Sequence, residues 1–496
     1  MPHVVTQSCC SDASCTYACP VNCIQPTPDD PDFLAAEMLH VDPATCVDCG
    51  ACVTACPVEA IKPHTALTEA EQPYLDINRL YHEGRARAGA KRDLLARPVP
   101  RLHVKRRPEP LRVAVIGSGP SGLYAADEVL TIPGAEATIY ERLAEPYGLA
   151  RFGVAPDHRR TRRISGQFEQ IRSAKGLKFK LGVEVGRDVT QAELLDEYDA
   201  VIYAVGAAAD RKLAIPGAEL PGVTSATDFV AWYNGHPEFR DMEFDLSAER
   251  AVVIGNGNVG LDVARILTTD PERLAQTDIS ERALAALRAS NLNEVVITGR
   301  RGPREASFTL PEILGLASAP GVELVVDPAV SAEIPGSKLE WLSRLSAASR
   351  AGTRKIHLRF YVSPARVHGT ERVTDVEFAK TRSQTESGYA GTGTLATNEH
   401  TRIDAGLVLT SIGYGAEPVA DLPFDDTTRT VPNHQGRVVD PVTGDPQPGT
   451  YVTGWIKRGP SGFLGTNRSD SQETVRALVE DFNAGRLDRN HAGSHA

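Results

Sequence analysis

The chain has 496 residues, a formal net charge of −11 and a hydrophobic residue content of 41%. That length predicts about three domains, and no run approaches the roughly 18 apolar residues of a membrane span, so no membrane association is expected. All nine cysteines lie between Cys9 and Cys56, and the opening MPHVVTQS lacks the apolar core of a secretory signal. Cysteines clustered in this way favour metal binding in a reducing, cytoplasmic compartment over disulfide formation.

Two cysteine-rich runs are the first predicted elements. The run from Cys9 to Pro20 has the spacing C-x2-D-x2-C-x3-C-P, with Asp12 in its second position. The run from Cys46 to Pro57 has the spacing C-x2-C-x2-C-x3-C-P, which is the ligand run of bacterial iron–sulfur ferredoxins. Zinc sites use two separated ligand pairs and do not require this pattern, so zinc is the weaker alternative.

The runs predict two clusters with different numbers of thiolate ligands. In two-cluster ferredoxins the fourth cysteine of each run binds the other cluster. A complete 4Fe–4S cluster is therefore predicted on Cys19, Cys46, Cys49 and Cys52. The other site has three thiolates, which predicts a 3Fe–4S cluster, with a second 4Fe–4S cluster as the alternative. Its ligands are Cys9, Cys15 and Cys56.

Three residues near these ligands allow more than one interpretation. Asp12 could hold a labile iron through oxygen, a harder ligand than thiolate, or be a solvated turn residue. Cys10 and Cys23 are interpreted as packed free thiols, with Cys10 as an alternative to Cys9. Together with the sequences PVNC and PVEA-I that follow the two runs, these patterns resemble the seven-iron bacterial ferredoxins over residues 1–65. The resemblance implies a small α+β ferredoxin domain.

Residues 66–108 are predicted to be a basic, proline-containing linker. Its sequence GRARAGAKRDLLARPVPRLHVKRRPEP shows no apolar face and is interrupted by prolines. A basic arm can bind nucleic acid. Residues 1–65, however, carry eight acidic residues against Lys62 alone, so a linker that lies against this acidic domain is the better interpretation. No nucleic-acid partner is expected.

A dinucleotide-binding motif follows the linker. A β-branched run from Leu111 to Ile116 leads into G-x-G-x-x-G and then a helical pattern, and the glycines are Gly117, Gly119 and Gly122. Such glycines permit a tight turn and let a pyrophosphate approach the N-terminus of the helix. The next predicted strand, Ala137 to Tyr140, ends at Glu141, which can accept hydrogen bonds from a ribose. This motif fits FAD.

A second motif of the same kind begins at Gly255. The sequence is AVVIGNGNVGLDVARIL, and the next predicted strand, Glu294 to Thr298, ends in Arg300 and Arg301 instead of an acid. Paired guanidinium groups bind a 2′-phosphate that a carboxylate would repel, so this motif predicts NADP. The long segment between Thr268 and Asn293 is expected to hold additional helix.

The remaining elements complete an α/β flavoprotein with two dinucleotide-binding domains. We assign residues 109–208 and 403–496 to an FAD-binding domain and residues 209–402 to an NADP-binding domain. The runs Tyr198 to Gly206 and Leu407 to Gly413 are predicted strands, and a helix from about Ser469 is expected to direct its positive N-terminus at the flavin. No cysteine lies in this part of the sequence, so no disulfide relay can carry electrons from the flavin.

Several motifs resemble the adrenodoxin reductase family of ferredoxin–NADP reductases: GSGPSG, YGLARFGVAPDH, VIGNGNVGLDVARIL, GRRGP, FTLPE and GWIKRGPSGFLGTN. The whole chain resembles the actinobacterial fusions of a ferredoxin with such a reductase. The resemblance implies FAD contacts at Ser121, Glu141, Leu149, Val185, Trp455, Gly462, Phe463 and Leu464. It implies NADP contacts at Asn256, Gly257, Asn258, Val259, Arg300, Arg301, Glu312 and Gly462. Members of that family often carry a second acid one turn after the position of Glu312, where this chain has Gly315.

The predicted activity is that of a ferredoxin–NADP(+) reductase, with His158 and Glu312 as candidate catalytic residues. Hydride would pass between NADPH and FAD, and single electrons between FAD and iron–sulfur clusters. The acceptor would be the chain's own ferredoxin domain, a separate ferredoxin or another one-electron carrier, with a cytochrome P450 system as one candidate. The basic run from Arg159 to Arg163 is a candidate docking surface for an acidic ferredoxin. Alternatives are an NADPH-input subunit of a larger synthase and a non-enzymatic iron–sulfur redox sensor.

Overall fold

The computed structural model describes residues 2–89, 94–105, 110–328, 337–348, 352, 354–383 and 393–487. Within these residues a small N-terminal module is followed by two units that are each built on a largely parallel sheet. The predicted fold class, an α+β ferredoxin module followed by an α/β two-dinucleotide-binding flavoprotein, is confirmed. Among the described helices, none combines the length and the apolar character needed to cross a bilayer.

The N-terminal module comprises residues 2–89. Its strands are β1 (His3–Val5), β2 (Ile24–Gln25), β3 (His40–Val41) and β4 (Ile61–Pro63). Strand β1 pairs antiparallel with β4, and β2 with β3. Each cysteine run forms one short helix, α1 (Ser14–Ala18) or α2 (Ala51–Ala55). A left-handed residue precedes each helix, Ala13 with φ 61° and Gly50 with φ 74°, so the two runs fold alike.

Helix α3 (Pro73–Arg87) lies inside the predicted linker, so the linker prediction is wrong for its first half. The helix packs on the module through Asn78, whose Oδ1 accepts hydrogen bonds from Val5 N at 3.2 Å and Val41 N at 2.8 Å. Residues 94–105 have no regular secondary structure. The rest of the predicted linker, 90–93 and 106–108, lies outside the described residues.

The later elements alternate between strands and helices. In chain order the strands are β5 (Arg112–Ile116), β6 (Glu136–Glu141), β7 (Leu177–Leu181), β8 (Ala200–Tyr203), β9 (Ala209–Asp210), β10 (Val223–Ser225), β11 (Arg250–Ile254), β12 (Glu294–Thr298), β13 (Val322–Asp327), β14 (Arg354–Arg359), β15 (Val362–Gly369), β16 (Val373–Ser383), β17 (Thr394–Asp404), β18 (Leu407–Thr410), β19 (Tyr414–Gly415), β20 (Asn433–His434), β21 (Arg437–Val439) and β22 (Pro446–Val452). The helices are α4 (Pro120–Leu130), α5 (Leu149–Phe152), α6 (Ile164–Arg172), α7 (Gln191–Glu197), α8 (Ala226–Tyr233), α9 (Asn258–Thr268), α10 (Pro271–Leu274), α11 (Glu281–Arg288), α12 (Leu310–Ala317), α13 (Lys338–Ala348), α14 (Trp455–Arg458) and α15 (Thr466–Asn483).

The first large sheet has the strand order β20-β21-β22-β8-β5-β6-β7 within the described residues. Strands β22, β8, β5, β6 and β7 are mutually parallel, with β5 near the centre. The inner strands β8, β5 and β6 are short runs that are buried almost throughout, as parallel strands covered on both faces require. The first glycine motif therefore lies at the carboxyl end of a central strand, where α/β sheets bind ligands.

The second large sheet has the order β10-β18-β11-β12-β14-β13 in the described part of the chain, with parallel neighbours throughout. Strand β18 pairs with β10 and β11, so the boundary drawn at residue 403 is wrong and moves past residue 410. The additional helix expected between β11 and β12 is present as α10 and α11. Strands β15, β16 and β17 form a separate antiparallel sheet.

One apolar cluster joins the N-terminal module to the first sheet. It includes Val4 and Ile61 of the module, Val115 of β5 and Tyr124 of α4, all at most 3% exposed. Leu314 of α12 belongs to the same cluster. The module is therefore packed against both units and shares a core with the first.

Candidate functional site

The first glycine motif forms an open helix N-terminus. Gly117 has φ 101°, and a Cβ there would lie 2.6 Å from the carbonyl oxygen of Ala204. Gly119 is the N-cap of α4, and no side chain caps that helix. Uncapped backbone N–H groups at a helix N-terminus can bind the phosphates of a nucleotide.

Glu141 ends β6 and lies beside the first glycine motif, and together they form the first half-site. Its carboxylate accepts hydrogen bonds from Ser118 N (3.0 Å), Ser118 Oγ (2.7 Å) and Leu143 N (2.9 Å). The side chain thus stands where the sequence predicts, and its bonds to Ser118 brace the glycine turn. Its contact with a ribose stays a prediction.

The C-terminal motif meets the first motif through Asn467 of α15. Ser121 Oγ donates to Asn467 Oδ1 at 2.9 Å, and Asn467 Nδ2 donates to the carbonyl oxygens of Phe463 (3.2 Å) and Leu464 (3.0 Å). This amide therefore holds the loop Gly462–Leu464 beside the start of α4. Sequence analysis missed it, although it ends the quoted GWIKRGPSGFLGTN.

The other residues predicted to contact FAD surround the same region. Val185 and Trp455 pack against one apolar cluster, and the Trp455 ring stacks on Tyr414 with centroids 6.0 Å apart. Leu149 begins α5 with a side chain that is 44% exposed. It follows Gly148, where a Cβ would lie 3.1 Å from Gly119 Cα.

The second glycine motif has the same construction at the end of β11. Gly255 has φ 117°, and Gly257 is the uncapped N-cap of α9. Asn256 Oδ1 accepts from Ser307 N at 3.3 Å, and Asn258 Oδ1 accepts from Thr309 N at 2.8 Å. These two amides connect the nucleotide loop, which continues through Val259, to the chain that enters α12. Arg300 and Arg301 follow β12 with exposed side chains.

His158 and Glu312 meet between the two units. His158 Nε2 lies 2.9 Å from Asp262 Oδ1 and 3.5 Å from Glu312 Oε2. Arg265 forms ion pairs with Asp262 (2.8 Å) and Asp157 (2.6 Å). Asp262 and Arg265 were missed by sequence analysis, although both lie in the second glycine motif and helix. His158, Asp262 and Glu312 lie close enough together to be candidate metal ligands. The guanidinium of Arg265 already supplies positive charge to this group, however, which favours an ion-pair network over a metal site.

The network sets the charge on its histidine. Burial and the neighbouring Arg265 lower the pKa of His158, but Glu312 and Asp262 outweigh them and raise it to about 9. Burial opposes ionisation of Asp262, but Arg265 and His158 bring its pKa to about 2. Burial raises the pKa of Glu312. At neutral pH the site therefore presents the imidazolium of His158 beside the carboxylate of Asp262.

The complete cysteine set lines one cavity in the N-terminal module. The four predicted ligands of the 4Fe–4S cluster line it together with Cys23: Cys19, Cys46, Cys49 and Cys52. Cys23 Sγ lies 3.4 Å from Cys19 Sγ, and Cys23 N donates to the same sulfur at 3.3 Å. Converging thiols around a cavity fit an iron–sulfur cluster, and Cys23 fits a thiol that supports a ligand.

The incomplete set is also buried in the module. Burial, to which the nearby Cys56 and Asp12 add, raises the pKa of Cys9 to about 11. Burial also raises the pKa values of Cys15 and Cys56, to which Asp12 adds. Buried thiols that cannot ionise alone fit a metal cluster, whose positive charge ionises them. The structure thus brings Cys9, Cys15, Cys56 and Asp12 together.

Asp12 and Cys10 also contact the reductase units. The Asp12 carboxylate accepts a hydrogen bond from Ser14 Oγ and lies 3.6 Å from Arg468 Nη1 of α15. Cys10 O accepts from Gly465 N at 2.8 Å. Asp12 is 6% exposed, so its interpretation as a solvated turn residue is wrong.

Comparisons with known proteins agree with this architecture. Residues 111–287 match the family described as pyridine nucleotide-disulphide oxidoreductase, and residues 39–62 match the 4Fe-4S binding domain. The probable ferredoxin/ferredoxin–NADP reductase of Mycobacterium tuberculosis is 51% identical to this chain, over 98% of the chain and 85% of that protein. The chain belongs to the ferredoxin/ferredoxin–NADP reductase family.

Other relatives match about three quarters of the chain. The mitochondrial NADPH:adrenodoxin oxidoreductase of Homo sapiens is 41% identical over 76% of this chain and 80% of that protein. The structure of Mycobacterium tuberculosis FprA in complex with NADPH has a TM-score of 0.71 at 41% identity, covering 76% of this chain and 86% of that chain. The predicted resemblance is confirmed, and the chain is an oxidoreductase.

In this reductase family member the predicted basic docking run contacts the N-terminal module directly. Arg160 Nη1 lies 2.9 Å from Glu71 Oε1, and Arg163 forms an ion pair with Glu59. The other two arginines of the run turn towards the second unit: Arg162 pairs with Asp278 at 3.1 Å, and Arg159 donates to Gln276 O. Half of the run therefore meets the module.

Proposed function

We propose that the chain exchanges electrons between NADPH and the iron–sulfur clusters of its own N-terminal module. Bound FAD supplies the chemistry that connects a two-electron nicotinamide with one-electron clusters. The observation that carries the proposal is the hydrogen bond from Gly465 N to Cys10 O, which joins the residue after the loop assigned to FAD to the residue after Cys9 of the incomplete cysteine set. The 51% identical relative, a probable ferredoxin/ferredoxin–NADP reductase, supports the proposal.

The first half-site would hold FAD. The N-terminus of α4, shaped by Gly117, Gly119 and Gly122, fits its pyrophosphate, and Glu141 fits its ribose. The flavin end would meet the residues that surround Asn467 and the Trp455 cluster. The assigned contacts are Ser121, Leu149, Val185, Trp455, Gly462, Phe463 and Leu464.

The second half-site would hold NADPH. The N-terminus of α9 fits the pyrophosphate, and the exposed guanidinium groups of Arg300 and Arg301 fit the 2′-phosphate bidentately. The remaining assigned contacts are Asn256, Gly257, Asn258, Val259, Glu312 and Gly462.

His158 and Glu312 would hold the nicotinamide end of NADPH. The Glu312 side chain is 19% exposed, so its carboxylate is poorly hydrated and can accept from a bound amide. The side chain of His158 lies beside both Glu312 and Asp262 and would fix the positions of both acidic side chains. These side chains orient and do not relay electrons.

The module would hold two clusters. Cys19, Cys46, Cys49 and Cys52 fit a 4Fe–4S cluster, whereas Cys9, Cys15 and Cys56 fit a 3Fe–4S cluster. Ser14 and Arg468 already contact the Asp12 carboxylate. Asp12 would therefore act at the second site chiefly through Arg468, and not as an iron ligand. Clustered cysteines of this kind persist in a reducing cytoplasm, which we propose as the location.

A separate ferredoxin, or a one-electron carrier such as a cytochrome P450 system, would be the final partner. Anaerobic titration with NADPH, followed by optical and EPR spectra, tests the proposal. NADPH should bleach the flavin and cluster absorbance, and NADH should do so far less effectively. Reduction of the flavin without the clusters would contradict it. Negligible turnover with every acceptor would favour the redox sensor, and a stable co-purifying synthase would favour the input subunit.

A further inference from the structure

Helix α12, which carries Glu312, begins without a cap of its own. The Thr309 side chain at its N-cap position makes no capping hydrogen bond. Instead Leu310 N donates to Glu37 Oε2 at 2.6 Å, and Glu37 belongs to the N-terminal module. Its other carboxylate oxygen lies 3.4 Å from Lys338 Nζ. The module thus satisfies one of the free N–H groups that every helix start exposes, with a charge that suits the helix dipole.

The module also reaches Glu312 itself. Gln7 Nε2 donates to Glu312 Oε2 at 3.4 Å, and Tyr74 OH donates to Pro311 O at 3.3 Å. Gln7 fits because residue 315 is glycine: a Cβ on Gly315 would lie 2.6 Å from Gln7 Cδ, and closer still to its amide nitrogen. Three side chains of the module therefore contact the first turn of α12.

We propose that Gln7 and Glu37 are positioning residues for the NADPH reaction: through α12 they hold Glu312 in the nicotinamide half-site, so the ferredoxin module is a structural part of that site. This inference rests on the proposed function, in which Glu312 contacts the nicotinamide. The adenosine end of NADPH binds at α9 and the arginines, away from these contacts. Misplacing Glu312 should therefore disturb hydride geometry more than nucleotide affinity.

The Gln7 contact is tested in the full chain by Gln7→Ala. NADPH-dependent ferricyanide reduction should lose about threefold to tenfold in kcat, while KM for NADPH stays within about twofold, because one hydrogen bond to a carboxylate is lost. The matched control is Gln72→Ala, whose amide donates to Leu67 O at the same 3.4 Å inside the module. It should behave as wild type. A wild-type kcat in Gln7→Ala overturns the inference.

Gly315→Ala provides an independent test, because its methyl group should push the Gln7 amide away from Glu312. It should reproduce the loss in kcat, and in the Gln7→Ala background it should add no further loss. Additive losses in the double variant would show that Gly315 acts through something other than Gln7, and would overturn this part of the inference.

Glu37 is tested by comparing Glu37→Ala with Glu37→Gln. Glutamine keeps an oxygen for Leu310 N and should retain most of kcat, whereas alanine should not. Hydrogen exchange needs no turnover: the Leu310 amide should exchange about tenfold faster or more in Glu37→Ala than in wild type. An unchanged exchange rate of the Leu310 amide would overturn the positioning role of Glu37, whatever the activity of the variant. Absence of NADPH-dependent ferricyanide reduction in wild type would instead overturn the proposed function.

Discussion

Gly465→Ala should separate the incomplete cysteine set from the loop assigned to FAD. Gly465 has φ −76° and ψ −24°, which alanine adopts readily, so the change acts only through its neighbours. A Cβ there would lie 2.5 Å from Asp12 Cα and 2.6 Å from Cys10 O. These are backbone atoms and cannot rotate away, so the N-terminal module must retreat by about 1 Å to restore van der Waals separation.

The size of the effect follows from the cost of overpacking, which is about 1–3 kcal/mol for a methyl group in a filled contact. At about 1.4 kcal/mol per factor of ten, the ratio of docked to undocked module should fall roughly 5- to 150-fold. The remaining contacts, such as Arg160 with Glu71 and Glu37 with Leu310, keep the module nearby. A displaced contact, rather than an unfolded protein, is therefore expected.

Cytochrome c and ferricyanide separate the two halves of the reaction. In Gly465→Ala, cytochrome c reduction should fall much more than ferricyanide reduction, because ferricyanide is a small oxidant that can reach the flavin without the clusters. Any loss in ferricyanide reduction should not exceed the threefold to tenfold expected when Gln7 no longer contacts Glu312. Gly166→Ala is the matched control, because a Cβ at this helical glycine meets no atom within 4 Å. If Gly465→Ala keeps its FAD and iron and still reduces cytochrome c at the wild-type rate, the contact is not the route of electrons.

Three further predictions concern the cofactor sites. Arg300→Ala with Arg301→Ala should lower kcat/KM for NADPH by about 10² or more and leave NADH nearly unchanged, because each lost charged hydrogen bond contributes about 1.5–3 kcal/mol. An equal loss with both nucleotides would contradict a 2′-phosphate site. Iron analysis should find about seven atoms per chain and an oxidised 3Fe–4S EPR signal, and Asp12→Cys should raise the count to about eight; eight irons in anaerobically isolated wild type would refute the three-thiolate assignment. The pKa of His158 is raised to about 9, so the contribution of its charged form to stability is fully present below about pH 6.5 and is lost as the pH rises through about 9. The melting temperature of wild type should therefore fall over that pH range. The fall should be smaller in His158→Gln.

The strand, glycine turn and helix of each nucleotide motif could be predicted from the sequence because neighbouring residues determine them. Strand β12 occupies Glu294–Thr298, as predicted from its β-branched run, and each glycine turn needs only its own few residues. Cysteine spacing likewise predicted that Cys19, Cys46, Cys49 and Cys52 lie together, as they do around one cavity, while both cluster assignments stay predictions. These features needed no knowledge of distant parts of the chain.

Helix α3 could not be recognised in the same way. Among its residues, Tyr74 and Ile77 are buried, but so are the polar Asn78 and His82, so no apolar periodicity marks its inner face. Asn78 is buried because it hydrogen-bonds to strands that lie far away in the sequence. The same limit hid the contact of Gln7 with Glu312, which are 305 residues apart.

The docked module changes what the basic run can do. Arg163 and Glu59 are 52% and 60% exposed, so their ion pair contributes only about 0–1 kcal/mol and mainly sets the orientation of a module that the shared apolar core already holds. Because Arg160, Arg163 and Arg468 contact the chain's own module, a separate ferredoxin would meet this surface only after displacing that module. An external carrier would therefore be better served by the complete cysteine set, where Cys49 is exposed.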